Sequence, residues 1–484
     1  MRSHVSFADT GVSPASQSAA SAVKMNPHDR LSASIMMRYG VGQVGAQIFR
    51  DSPAVLLPIF LTTMMGVPAW LGGLAILAPK LWIIFCDPLM GSLSDRKKRS
   101  WGRMPFLGLG ALITAISFFF LFHPVDMPSP MMSAVYVSVV FLLGSTGFSA
   151  FSVPYLALAS ELTTNQHERT KLLAYRMVFT MFGIILGVGF AQPLVSWLGG
   201  GAQAWTTMAA IVAVICLASM LIPAVGLRKL PIVAAVEAPP PLLRQIQLAW
   251  TNKPFVYLIF TYLLQSVGQA ISYSVIALIF IYALGNVSLL IPFVLVMGAA
   301  TVASQPVWII VSKRYGKRAT FVGSVLAWVA VTVTWIFVTP HSPVLVHLPL
   351  IGALTTQQAL ALVRAVIIGV FNSGFVLMAQ SMLTDTVAYD RIKFGRSSEG
   401  VFSGVFSAAE KFTYACGPAL AGIVLTLTGF VSSKGGPTPQ SASAIHGILL
   451  NYSILPAALA LLSLLVIRYY KLKASDLEED FAVE

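Results

Sequence analysis

Arg50, Asp51, Lys80, Asp87, Glu161, Arg176, Arg364, Asp385, Glu410 and Lys411 fall within or at the ends of long apolar stretches. An ionisable group in a bilayer core costs about 2.5–3.5 kcal/mol on insertion scales, so each one calls for a partner or a task. Asp87 sits inside an apolar helix. A carboxylate in low dielectric either takes a proton or recruits a cation, and either event couples charge to conformation. Lys80, seven residues earlier, lies about two turns away on the same helix face and is placed to pair with Asp87 when no cation is bound. The structural alternative is a permanent Lys80–Asp87 tie.

Other polar groups share helix faces. Asp51 follows Gln47 by one turn. Gln265, Gln269 and Ser272 form a stripe at helical spacing, with Tyr273 beside it. Such a stripe lines a polar cavity or glues helices together, at about 0.6 kcal/mol per hydrogen bond. Ser407, Lys411 and Tyr414 share a face, and Glu410 points about 100° away, toward another helix. Asp95, Arg96, Arg103, Glu161, Arg169, Asp385 and Arg396 fall at the ends of apolar stretches. They are expected to form cytoplasmic gate ion pairs rather than touch a ligand, with Arg96 and Arg103 pairing to acidic groups such as Asp385 in one of the two access states.

Several chemistries are excluded or disfavoured. The histidines His123, His341, His347 and His446 lack metal-ligand spacing, so no bound metal is expected beyond a possible transported Na+. No G-x-x-x-x-G-K-[ST] phosphate loop is present, which argues against an ATP-driven pump. No catalytic cluster or sizeable soluble domain supports an enzyme or receptor, and no cofactor is called for. Cys86, Cys216 and Cys416 are far apart within apolar stretches and suit packing rather than disulfides.

The elements that position these groups are membrane helices. The 484 residues are 56% hydrophobic and 10% charged, with a mean hydropathy of +0.79. Soluble domains carry about 25% charged residues. Apolar runs of about 20 residues, enough for one span each, recur along the whole chain. Spans are expected at roughly 39–64, 70–93, 105–123, 131–158, 171–198, 204–227, 254–283, 287–312, 319–340, 357–388, 399–430 and 444–470. The expected fold is an all-α integral membrane protein of twelve transmembrane helices.

The net charge of +13 is distributed by topology rather than by a polyanionic ligand such as nucleic acid. Of 31 Lys and Arg residues, only Lys434 falls in a connection expected outside. Clusters Arg96–Arg103, Arg228–Lys253, Lys313–Arg318 and Arg391–Arg396 occupy alternate connections, which puts both termini in the cytoplasm of a multi-pass protein of the cell (inner) membrane. Residues 1–35 read as a disordered tail, 36–227 as a first six-helix half, 228–253 as a cytoplasmic linker, 254–470 as a second half and 471–484 as a tail. GSLSDRKKRSWGR at 91–103 and SKRYGKR at 312–318 occupy the same place in each half. Such a parallel repeat places a solute site between the halves near the midplane.

Three stretches carry a family signature: DPLMGSLSDRKKRSWGRMPF from Asp87, VPYLALASELTTNQHERTKLLAYRMVF from Val153 and LTDTVAYDRIKFGRSSEGVFSGVFSAAEKF from Leu383. With Tyr39–Gly40, they resemble the glycoside–pentoside–hexuronide:cation symporters, the melibiose-carrier family of the major facilitator superfamily, over about residues 39–470. The resemblance implies secondary active transport of a small solute, driven by H+ or Na+. It gives the aspartate of the D-P motif, here Asp87, a part in coordinating the coupling cation. It also implies that Arg176 and Lys411 are the cations of the sugar site.

This chain departs from the melibiose carrier elsewhere. That protein's second carboxylate, one turn before the D-P aspartate, is Ile83 here, which leaves a poorer sodium site. Its two sugar-binding aspartates correspond to Gln47 and Ser152, and its stacking aromatic to Leu156. Arg176 and Lys411 therefore stand with fewer counter-charges: either Asp51 and Glu410 neutralise them, or an acidic solute does. The expected substrate-binding set is Arg176, Lys411, Asp51, Gln47, Ser152, Gln265, Gln269, Tyr273 and Tyr414. A monomer carrying a sugar, glycoside or hexuronide is the first reading. A carrier of a lysolipid or other anionic amphiphile on the same fold is the alternative.

Overall fold

A computed structural model of the chain describes residues 31–472, apart from 98–99, 101, 164, 229–246, 340–341, 349–351 and 396–398, together with Asp476. The first half runs α1 (Ala33–Thr63), α2 (Ala69–Lys97), α3 (Met104–Phe122), α4 (Pro130–Glu161), α5 (Gln166–Ile184) and α6 (Gly201–Gly226). The second runs α7 (Lys253–Leu278), α8 (Leu290–Tyr315), α9 (Lys317–Val333), α10 (Thr356–Phe394), α11 (Glu399–Leu427) and α12 (Ala442–Ile467), which turns at Ser453. Eleven of these spans are long and apolar enough to cross a membrane; α11, 29 residues long, carries Glu410 and Lys411 in its middle.

Local sequence sets the helix ends. At the start of α10 a capping box forms, with the Gln358 N–H donating to the Thr355 hydroxyl and the Thr355 N–H to the Gln358 side chain. Gly395, at φ +62°, ends the same helix in a left-handed turn. α1 starts at Ala33 rather than near 39, and α10 runs to Phe394 rather than 388, so both extend past the apolar run that announces them. β1 (Val344–Leu348) and β2 (Gly352–Thr355) pair antiparallel before α10, a departure from the all-helical expectation. Single π turns interrupt two spans, at Ile185–Phe190 after α5 and Ile279–Ala283 after α7. Such turns re-aim the following side chains and recur at functional sites.

Between the halves, α1 packs on α7, α2 on α11, and the π turn after α5 on α8. With no water to expel, membrane helices associate through close packing of small residues. Along the α2–α11 seam a Cβ on Gly73 would lie 2.6 Å from the Pro418 carbonyl, and one on Gly422 would run into the Ala69 carbonyl. The Trp70 N–H donates to Thr426 Oγ1 at 3.1 Å. Nearby, the N–H groups of Ser433 and Gly436 donate to the carbonyls of Thr62 (2.7 Å) and Thr63 (2.9 Å), and Lys434 pairs with Asp126 at 3.2 Å. The halves are thus closed at the end opposite the basic connections. Gly422→Val is expected to pry this seam open and destabilise the purified protein by about 1–3 kcal/mol. An unchanged thermal unfolding curve would show that the seam tolerates a side chain.

Candidate functional site

Mid-membrane, α1, α2, α4 and α5 meet α11 around a cavity of about 170 Å³. Its wall carries Arg50, Lys80, Arg176 and Lys411 against Asp51, Asp87 and Glu410, four cations facing three carboxylates. At the cavity, among the described residues, two ion pairs cross between the halves. Lys411 Nζ of α11 donates to Asp87 Oδ2 of α2, and Arg50 Nη2 of α1 donates to Glu410 Oε1 at 2.6 Å. Asp87 Oδ1 is buried with no hydrogen-bond partner, so that carboxylate keeps a lone-pair face for an incoming cation or proton.

The first span builds a relay on one face. Arg176 Nε donates to Gln43 Oε1 (2.8 Å), Gln43 Nε2 to Gln47 Oε1 (3.0 Å), and Gln47 Nε2 to Asp51 Oδ2 (2.6 Å). Arg176 can only donate and an ionised Asp51 only accept, so both amides must orient this way. Their dipoles run from cation to anion. Asp51 also lies 3.8 Å from Arg50. Tyr39 and Tyr155 exchange hydroxyl-to-carbonyl hydrogen bonds between α1 and α4, their rings stacked at 4.6 Å, and the Arg176 guanidinium lies 6.0 Å from the Tyr155 ring.

Some expectations need correction. Lys80 does not pair with Asp87: its Nζ donates to the Arg50 carbonyl at 2.9 Å, 5.6 Å from the Phe141 ring. Two turns along α2 separate the two side chains, about 10 Å of rise, and Lys411 reaches Asp87 from across the cavity. Gln47, 5% exposed, stands behind the wall as part of the relay rather than on it. Ser152, Arg176, Asp51, Lys411 and Tyr414 do line the cavity. Gln265, Gln269, Tyr273 and Tyr414 line a neighbouring cavity that shares Glu410 and Tyr414 with the first.

Among the described residues, the gate contacts of Arg103, Asp385 and Arg169 each stay within one half. Arg103 is buried in the first half, bidentate to Glu161 (2.8–3.0 Å) and bonded to Asp95 (2.6 Å) and Ser94 (2.8 Å). Arg103, eight positions after Asp95, folds back onto its own connection. Asp385 is held by Lys317 at 2.7 Å, within the second half, and not by Arg96, which is exposed on the last turn of α2. Lys317 opens α9 right after the Gly316 turn, which sets it against α10. Arg169 donates to the Thr163 carbonyl at 3.3 Å. Arg396 lies outside the described residues. The roles of Gln43 and Arg50 went unread in the sequence. Gln43 carried a signal, since it precedes Gln47 by one turn; Arg50 carried none beyond its charge.

A helical membrane protein in two halves, with ion pairs across a central polar cavity, is a secondary active transporter of the major facilitator type. The family model described as MFS/sugar transport protein matches residues 38–474. The chain belongs to this family, among the glycoside–pentoside–hexuronide:cation symporters of the major facilitator superfamily. It is 25% identical to the isoprimeverose transporter of Lactiplantibacillus pentosus, across 92% of this chain and 91% of that protein. It is also 25% identical to the sphingosine-1-phosphate transporter MFSD2B of Mus musculus, across 90% and 89%. The crystal structure of a D-xylose-proton symporter superposes with a TM-score of 0.63 at 13% identity, covering 92% of this chain and 98% of that one.

Proposed function

We propose that this transporter carries a sugar, glycoside or hexuronide-like solute together with H+ or Na+, by alternating access of the half at 36–227 against the half at 254–470. The observation that carries the reading is the Lys411–Asp87 pair. It links the halves across the cavity and leaves Asp87 Oδ1 open. An ion that binds Asp87 competes with Lys411, so ion binding changes what holds the halves together. The excess of one cation over the carboxylates in the cavity wall supports an acidic substituent on the solute, because guanidinium groups hold carboxylates and phosphates with paired hydrogen bonds. The relatives named as transporters of isoprimeverose and, putatively, of sulfoquinovose support a sugar cargo.

With both termini cytoplasmic, the closed seam at Gly73, Gly422 and Lys434 faces outward. The site is complete within one chain, which supports a monomeric unit. Counterflow in proteoliposomes with sugars, uronides and lysolipids tests the cargo. Uptake driven separately by a Na+ gradient and by a pH gradient tests the ion. Accumulation of a sugar or uronide under one of the two gradients is expected; transport indifferent to both would overturn symport.

A second reading has its own observation. An apolar groove of about 290 Å³ runs between Ile84 of α2, Ile259 and Leu263 of α7, and Val405 and Phe412 of α11. It lies on a different face of α11 from Lys411 and would accept an acyl chain from the bilayer. Counterflow of a lysophospholipid, without any of the sugars, would establish this amphiphile reading instead.

A further inference from the structure

Next to the charged cavity, α7, α9, α10 and α12, with Met297 of α8 and Glu410 and Tyr414 of α11, line a second one of about 280 Å³. Among the described residues, Glu410 is the one charged group in its wall, at the boundary between the two cavities. The rest is amide, hydroxyl and aromatic, with Ile276, Met297, Ile368, Val376 and Ala379 between. Gln265, 6% exposed, has no partner for its Nε2, and Thr332, 2% exposed, has none for its Oγ1. A buried polar group left without a hydrogen bond costs about 1–3 kcal/mol. The two residues, from different helices, line one cavity. Gln269 Nε2 donates to Asn372 Oδ1 at 2.8 Å, a bond that leaves Gln269 Oε1 and Asn372 Nδ2 for other partners. Beside these amides on α7 stands Tyr273, its ring centroid 6.4 Å from that of Tyr414 of α11.

We infer that this cavity is a neutral subsite for one sugar ring of a glycoside whose remaining, polar or acidic part occupies the charged cavity. This rests on the sugar-transport reading above and adds the length and polarity of the cargo. Amides and hydroxyls supply both donors and acceptors for ring hydroxyls, and aromatic faces suit the apolar C–H face of a pyranose. An acyl chain would leave Gln265 and Thr332 unmet. An anion would face Glu410. The two cavities meet at Glu410 and Tyr414, so a two-ring solute would pass the Arg50–Glu410 pair and hold the halves at once.

The test is equilibrium binding to the full chain in lipid nanodiscs, with isoprimeverose and melibiose as two-ring probes and xylose, glucose and galactose as single rings. A two-ring sugar is expected to bind about tenfold more tightly than its single rings, which corresponds to about 1.4 kcal/mol. Thr332→Val and Gln265→Met should each erase that preference by weakening two-ring binding about tenfold, to the level of the single rings. Because they remove unpaired buried groups, both should keep or raise the thermal stability of the sugar-free protein. Equal weakening of one- and two-ring sugars, no weakening, loss of stability without sugar, or no sugar binding at all would overturn the inference. Binding needs no ion gradient. Failed coupling with an intact two-ring preference would therefore remove only symport, and gradient-driven sugar uptake without that preference would remove only the subsite.

Discussion

Asp87→Asn is expected to reduce uphill solute accumulation in proteoliposomes to background while downhill counterflow persists. The carboxylate is the group on α2 that both an ion and Lys411 of α11 can hold. An asparagine amide neither binds a proton near neutral pH nor offsets a lysine. The ion then has no site from which to displace Lys411, and its gradient no longer does work on the solute. Removing one partner of a buried ion pair costs about 3–5 kcal/mol. Lys411, about a third exposed to the cavity, stays partly hydrated, so the cost here lies well below that range. A folded Asp87→Asn protein is therefore expected, and its transport can be measured. Asp87→Asn combined with Lys411→Gln should recover what stability was lost and remain uncoupled. Normal concentrative uptake by the single variant would sink the coupling role of Asp87.

Arg103→Gln is expected to give the largest loss of stability, about 3–5 kcal/mol, because it removes the cation from a buried pair in which both members are under 5% exposed. Glu161→Gln should cost a similar amount. Asp95→Asn should cost about 1 kcal/mol or less, since Asp95 sits at the solvent rim, 44% exposed, where ion pairs are worth little. This ranking separates a structural clasp of α2, α3 and α4 from a gate. A gate would show altered transport with an unchanged unfolding transition. Thermal unfolding in detergent, run beside counterflow, reads both, and an Arg103→Gln protein as stable as the wild type would refute the clasp.

The sequence by itself determined the spans, the two-half plan and the list of intramembrane charges. A bilayer imposes length and apolarity on every crossing segment, and any charge within one stands out against that background. Faces along one helix were legible for the same reason: Gln47 and Asp51, or Gln265 and Gln269, follow from 3.6-residue periodicity and do share a face in the structure. Partners across helices were not. Helical spacing joined Lys80 to Asp87, yet Lys80 turns to the Arg50 carbonyl and Lys411, 324 residues away, takes the carboxylate. Arg96 and Asp385 carried opposite charges at neighbouring span ends, yet Asp385 is held by Lys317 inside its own half. Periodicity fixes only which way a side chain leaves its own helix. Which group it meets depends on how helices distant in sequence are rotated and set against one another, and seams such as Gly73 and Gly422 against α11 and α2 decide that only in the folded protein.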